Sequence, residues 1–493
     1  MNRAVRARSD PRSGAEDAEP RGFPRKLTLT HLWVLAAVAL PMLAALRDTL
    51  ATIDLAFGVR AGTVMVETGG VLRTDVFSFT AAGAPWLNQQ WGGQVLLALI
   101  HRATGWVGLA LIQAVLFSAA FLFVFLACRA AGARTKHAAW LTLAAFPVAL
   151  AGRGLRAQLI GMLLFAITTW LVMDRSRHPR RLWAIPVLVA IWANVHGSFV
   201  LVPLLLALVW FDDRRRRVPA ADRTLAVAGL SVAAVTLNPF GLRVWSYAVG
   251  ISTNPLITRQ IEEWQPPSPR DAPGLLFFLS ILALVAFLAR RGTKAPWPTL
   301  LSMGAFVGIG LLAVRGIFWW AIVGPALVAT LLEYGSPPPS PERGSILNTG
   351  IAAVIVALIA ASLPFWRPPG ALDAPRGLLE QAPPGITAAL DRTMAPGDRM
   401  FNPQAWGSWL IFALPDHRVF VDSRIEVFPE AVWDDYFTVS GARDGWQEVL
   451  DRWNIDVVVA HREQQEELIP RIRADTGWRQ VYADRDGLLF VRA

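Results

Sequence analysis

The sequence predicts a multi-pass α-helical membrane protein with a C-terminal extracytoplasmic α/β domain, and three observations predict it. Of 493 residues, 54% are hydrophobic and only 17% charged, whereas soluble domains carry about 25% charged residues. The mean hydropathy is +0.40. The formal net charge of +10 is unevenly spread: residues 1–364 carry 33 Lys and Arg against 17 Asp and Glu, and residues 365–493 carry 14 against 20. The apolar part is thus basic and the remainder acidic. Because the excess follows the connections between apolar runs, it records membrane orientation, and nucleic acid is not expected as a partner.

Runs of roughly 15–23 apolar residues mark candidate spans. About eleven occur, at 29–50, 105–127, 138–152, 157–173, 182–196, 198–211, 224–237, 273–289, 297–313, 316–332 and 346–364. The connections 1–28, 128–137, 174–181, 212–223 and 290–296 hold 7, 3, 4, 5 and 3 basic residues. Placing these in the cytoplasm puts an even number of crossings between each pair. The segments 138–173, 182–211 and 297–332 are then helical hairpins with outward tips, the N-terminus is cytoplasmic, and the C-terminal domain lies outside. Residues 1–28 read as a basic arm and 29–364 as the membrane domain. Cys128, the only cysteine, falls at a cytoplasmic end, so no disulfide supports the outer domain.

After a Pro-rich linker at 365–384, residues 385–493 alternate strand and helix signals. Strands are expected at 399–402, 418–422, 455–460, 478–483 and 488–492, and helices at 405–413, 430–439, 445–453 and 464–475. A chain of this length can bury its own core.

The longest non-apolar stretch of the membrane part is the first outer loop, 51–92. It holds Asp54, about one turn beyond the first span, and Asp75. A carboxylate beside Leu55, Phe57 and Trp91 at a membrane interface is partly desolvated, which raises its basicity and suits general-base or metal-ligand work. The alternative is that Asp54 caps the helix that follows and Asp75 closes a turn before Ser78.

The order Asp54, Gly62, Thr74-Asp75-x-Phe77-Ser78-Phe79-Thr80, Gly83, Pro85-Trp86-x-Asn88-x-x-Trp91 resembles the first outer loop of bacterial GT-C superfamily glycosyltransferases, polytopic enzymes that use lipid-linked sugars. Arg153 to Gln158, Trp192-Ala193-Asn194-Val195-His196-Gly197, Leu237-Asn238-Pro239-Phe240-Gly241, Trp406-Gly407-x-Trp409-Leu410 and Val419-Phe420-Val421-Asp422-Ser423-Arg424 extend the resemblance over most of the chain after residue 30. It implies a GT-C-like fold in the bacterial plasma membrane, a role in the cell envelope, and Asp54 as the catalytic carboxylate, with Asp75 as the second candidate. Many relatives follow that acid with an aromatic pair and a His, where this chain has Leu55-Ala56-Phe57-Gly58. The outer domain is distantly similar to that of oligosaccharyltransferase catalytic subunits. It lacks their Trp-Trp-Asp run, so peptide recognition does not carry over; Trp406 remains a candidate substrate contact.

Hairpin 182–211 gives arms of roughly 22 Å at 1.5 Å per residue, short of the approximately 30 Å hydrocarbon layer. Its tip, with Asn194 and His196, is therefore expected within the outer leaflet, where polar groups commonly mark a site or satisfy the open backbone. Arg153, Arg156 and Arg315 sit at the other tips. Guanidinium groups bind phosphate bidentately, so these read as a polyprenyl-phosphate site or as snorkelling anchors. Glu262 and Glu263, in the loop 238–272, together with Asp54 could take Mg²⁺ or Mn²⁺, or form a solvated face.

These readings converge on an inverting membrane glycosyltransferase. It would move a sugar from a polyprenyl-phosphate-linked donor to a glycan, lipid or protein acceptor at the outer face of the plasma membrane, in contact with membrane lipid. The alternative is a non-catalytic membrane scaffold or lipid-linked-glycan binding protein. The two differ in whether Asp54 and the hairpin tips share one cavity.

Overall fold

The computed structural model describes residues 26–219, 221–291, 295–332 and 342–493. The basic arm before Lys26 therefore lies outside the described residues. Each expected span is answered by one helix: α1 (Leu29–Arg47), the second part of α3 (Trp91–Ala130), α4 (Thr135–Val148), α5 (Ala157–Met173), α6 (Ala184–Trp192), α7 (Leu201–Arg215), α8 (Ala221–Ala234), α11 (Ala272–Arg291), α12 (Trp297–Leu312), α13 (Ile317–Ala329) and α14 (Ile346–Ala361). Among the described residues, α1, α3 and α11 are long and apolar enough to cross a membrane individually; α5, α12, α13 and α14 are shorter apolar helices. α1 opens on a capping box, Thr28 receiving the His31 amide and His31 reaching back, which satisfies two of the orphan N–H groups of a helix start.

The segment 51–92 is not the open loop its polarity suggests. Residues Thr52–Thr68 form α2, and α3 already begins at Trp91. Leu55, Val59, Gly62 and Met65, all buried, recur at three- and four-residue spacing and make one apolar stripe. This helix is too weakly apolar to read as a span, so a search for spans passes over it. The 40-residue α3 breaks at Gly105, whose φ of 63° lies in the left-handed region that side-chain-bearing residues avoid. The expected span at 105–127 is the part beyond that break. Two short helices, α9 (Arg243–Thr253) and α10 (Pro255–Gln260), lie in the second loop.

The C-terminal domain has α15 (Pro384–Thr393), α16 (Gln404–Ala413), α17 (Glu430–Ser440), α18 (Trp446–Arg452) and α19 (Leu468–Ala474) against a sheet of four strands. The strands β3 (Met400–Phe401), β4 (Val457–His461), β5 (Trp478–Ala483) and β6 (Gly487–Arg492) are ordered β3-β4-β6-β5. The β3–β4 pair is parallel, and both pairs to β6 are antiparallel. The expected strand 418–422 is absent from this sheet. Val419, Phe420 and Val421 are fully buried, but Val419 pairs with Ser78 of the membrane part instead. An apolar run signals burial without naming its partner.

That pairing is one of several ties between the two parts of the chain. The Val419 amide donates to the Phe77 carbonyl at 3.1 Å, and the Phe79 amide donates to the Val419 carbonyl at 3.2 Å. The Pro-rich stretch 365–384 supplies the second: its strand β2 (Leu379–Glu380) runs parallel to β1 (Leu50–Ala51), directly after α1. A third is the contact of α2 with α16, beside Trp106, whose ring is tilted 41° to Trp409 at 6.0 Å.

The crossing of α2 over α3 depends on Gly62, because a Cβ there would lie 2.1 Å from the carbonyl oxygen of Gln94. Backbone cannot yield as a side-chain tip can. Gly62→Ala is expected to cost about 1–3 kcal/mol, as overpacking does, read as a lowered Tm of the detergent-solubilised chain; an unchanged Tm would show that α2 can slide on α3.

Candidate active site

Three turns between helices carry their polar residues to one place. Arg156 is the N-cap residue of α5. Arg315 sits in the single turn Val314–Gly316 between α12 and α13, and His196 immediately precedes the turn Gly197–Val200 that leads into α7. With Asp54, in the first turn of α2, and Glu262, Glu263 and Trp264 they line a cavity of about 790 Å³. Its opposite wall comes from the C-terminal domain and includes Gln404, Arg424, Glu426, Phe437 and Gln464. The volume is in the range of small-molecule sites.

Arg156 is the electrostatic centre. Its Nε lies 3.2 Å from Asp54 Oδ2, and its Nη1 donates to Glu263 Oε1 at 2.5 Å. The carboxylates are 36% and 39% exposed, so both remain open to the cavity while sharing one cation. Arg315 stacks over Trp264, with its guanidinium carbon 4.2 Å from the ring centroid, an arrangement that holds a cation in place without neutralising it. The Nδ1 of His196 accepts the Ser198 amide at 3.1 Å, which leaves the ring proton of the neutral form on Nε2. A smaller cleft of about 120 Å³ abuts Arg156, Glu263 and Arg315; apart from Gln158 the rest of its wall is apolar, with Ala51, Leu155, Val314 and Phe318 in it.

Asp54, Arg156, His196, Arg315, Glu262 and Glu263 thus share one cavity. Five other residues expected there lie elsewhere. Asp75 is buried beneath the C-terminal domain. It accepts the Ser78 amide at 3.0 Å and hydroxyl at 2.6 Å, and pairs with Arg424 at 2.7 Å. Arg153 pairs at 2.7 Å with Asp48, at the end of α1. Asn194 fastens three elements: its Oδ1 accepts the Trp91 indole N–H at 2.8 Å, and its Nδ2 donates to the carbonyls of Ala190 and Leu237, each at 2.8 Å. Trp91 is thereby committed to the same tie. Trp406 is buried against His461, beside a second cavity under the Pro-rich stretch. In the cases of Asp75, Arg153, Asn194 and Trp91 the side chain is occupied in holding the framework around the cavity.

The three carboxylates expected as metal ligands all line the cavity. Among the described residues no group of three or more His, Cys, Asp or Glu side chains converges, and Asp54 and Glu263 are both engaged by Arg156.

Sequence reasoning did not assign the roles of Arg424 and Glu426. Arg424 pairs with Asp422 at 2.5 Å as well as with Asp75, and its guanidinium carbon lies 4.7 Å from the Trp86 ring centroid, with Phe57 and Phe77 also against it. Burial opposes its charge, but the two carboxylates outweigh burial and raise its pKa. The available signal was an acid and a base two residues apart after an apolar run. Glu426 accepts the Tyr247 hydroxyl of α9 at 3.1 Å. Nothing in the local sequence signals this pair, because its members are 179 positions apart.

The arrangement of helices, turns and C-terminal domain has a counterpart among solved structures. The apo crystal structure of ArnT from Cupriavidus metallidurans matches over 93% of this chain and 97% of that one, with a TM-score of 0.50 at 12% identity. The chain adopts the fold of that ArnT structure. A second ArnT structure, bound to undecaprenyl phosphate, matches with the same coverage, a TM-score of 0.48 and 14% identity. No protein-family profile and no curated protein matches the chain. The likeness to ArnT is therefore one of fold, reached at low identity.

The two acids first picked out by sequence are expected to separate experimentally. Asp75→Asn leaves Arg424 buried with one counter-ion fewer, which should cost about 3–5 kcal/mol. Asp54→Asn removes a partly exposed pair and should cost no more than about 1 kcal/mol. Unfolding of both variants in detergent micelles checks this, and equal losses would contradict the assignment of Asp75 as the structural acid.

Proposed function

We propose that the chain is a membrane glycosyltransferase that transfers a sugar from a polyprenyl-phosphate-linked donor to an acceptor hydroxyl at the outer face of the plasma membrane. The observation that carries this reading is the convergence of Asp54, Arg156 and Arg315 on one cavity in a chain with the GT-C fold. A scaffold would have no need to bring a partly exposed carboxylate and two guanidinium groups together from four separate helix ends.

In this reading the donor phosphate meets Arg156 and Arg315, and the first part of its prenyl chain takes the adjoining apolar cleft. The phosphate displaces Glu263 from Arg156, because a dispersed oxyanion offers that fork more acceptors than one carboxylate oxygen does. Asp54, relieved of part of its ion pair, is then free to accept a proton. The acceptor oxygen attacks the anomeric carbon while the bond from that carbon to the phosphate oxygen breaks. Asp54 takes the acceptor's hydroxyl proton, and polyprenyl phosphate departs with the electron pair of the broken bond. A single displacement of this kind inverts the anomeric centre. The leaving group needs charge stabilisation rather than a strong acid, which is the work preorganised guanidinium groups do well.

Asp54→Asn should lower kcat by about 10²–10⁴, the usual weight of a general base. Arg156→Gln should weaken undecaprenyl phosphate binding by about 10–100-fold, as the loss of a charge-assisted hydrogen bond does. Proteoliposomes carrying a panel of undecaprenyl-phosphate sugars, with released undecaprenyl phosphate read by mass spectrometry, test both. Full transfer by correctly inserted Asp54→Asn protein would remove Asp54 from the chemistry.

A further inference from the structure

The two walls of the cavity differ in charge, and the difference bears on the acceptor. On the side of the helix turns, Arg156 and Arg315 supply the cations. On the side of the C-terminal domain the one cation is Arg424, and it is already compensated by Asp75 and Asp422 within a ring of aromatic side chains. What that wall offers instead is neutral hydrogen bonding and one acid. Gln404 and Gln464 line it, and among the described residues neither side-chain carboxamide meets a protein partner. Phe437 lines it as a half-buried ring, tilted 32° to Trp433 at 6.0 Å.

Glu426 completes the set. One of its oxygens accepts the Tyr247 hydroxyl, so this bond joins α9 to the C-terminal domain, while the side chain itself remains exposed at the cavity wall. An anionic acceptor would face Glu426 with no uncompensated cation on that side. A peptide would require backbone partners that a wall of side-chain amides does not provide in register. A neutral sugar presents adjacent hydroxyls to carboxamides and a carboxylate, and an apolar C–H face to an aromatic ring.

Resting on the glycosyltransferase reading above, we propose that the C-terminal wall of the cavity is an acceptor subsite for an uncharged saccharide, with Glu426, held by Tyr247, fixing the acceptor hydroxyls and excluding phosphorylated acceptors. Glu426 is a binding and specificity residue in this scheme, and the proton still goes to Asp54.

The test uses the full chain in nanodiscs containing undecaprenyl-phosphate sugars, offered neutral oligosaccharides, phosphorylated oligosaccharides and peptides. Neutral oligosaccharides should be the acceptors used. Glu426→Gln should raise the acceptor KM by about tenfold or more, the weight of a hydrogen bond to a charged group, and should lower discrimination against phosphorylated acceptors. Tyr247→Phe should move KM in the same direction by less. Undecaprenyl phosphate affinity, measured separately, should follow Arg156 and not Glu426. Preference for a peptide or a phosphorylated glycan, or loss of undecaprenyl phosphate binding in Glu426→Gln with an unaltered acceptor KM, would overturn the subsite. If the parent chain turns over no lipid-linked sugar, the transferase reading falls on its own. Direct titration with neutral oligosaccharides then decides the subsite: saturable binding weakened by Glu426→Gln supports it, and no binding overturns it.

Discussion

A guanidinium group shut away from water requires counter-charge, and the buried Arg424 obtains it from both halves of the molecule. Asp422 comes from its own domain and Asp75 from the segment that follows the first helix. Neither half could bury this group alone, because a single missing partner in a buried ion pair leaves an uncompensated charge that costs several kcal/mol. The pairing therefore specifies one docking arrangement, and Trp86, Phe57 and Phe77 close the remaining space around it. The cavity exists only because this docking holds: one wall belongs to the helix turns and the other to the C-terminal domain.

The same principle operates inside the cavity with the opposite outcome. Arg156 holds Asp54 and Glu263 together, but all three are partly exposed, so the cost of separating them is small. A stable tie and an exchangeable one are thus built from the same residue types, and solvent access decides which is which. This separates the two acids that sequence chemistry treated as equals. Asp75 carries structure, whereas Asp54 opens onto the cavity.

Several side chains with a functional look serve the same supporting purpose. Asn194 and Trp91 join the start of α3 to the 192–197 turn, and Arg153 ties the neighbouring turn to α1 through Asp48. These bonds set where Arg156 and His196 stand. Sites of this kind depend on such supporting contacts, because a shift of an ångström in a charged group alters its chemistry.

Hydropathy and charge in the sequence determined the helical membrane architecture, the position of nearly every apolar helix and the presence of an α/β domain after residue 384, since a chain cannot hide eleven apolar runs from a search by length and composition. The spacing of Asp54, Arg156, His196 and Arg315 at helix ends was legible for the same reason: turns interrupt apolar runs, so polar residues in them stand out. Helix α2 was legible only as the alternative in which Asp54 caps a helix, whereas Asp54 lies within its first turn; its extent was not legible, because its stripe is half-polar and its partner α3 supplies the rest of its burial. The partner of Val419, the pairing of Leu379 with Leu50 and the clasp of Tyr247 on Glu426 were beyond reach. Periodicity reports that a residue is buried or exposed, but only the tertiary structure decides against what, and here that choice assigns one acid to the framework and the other to the cavity.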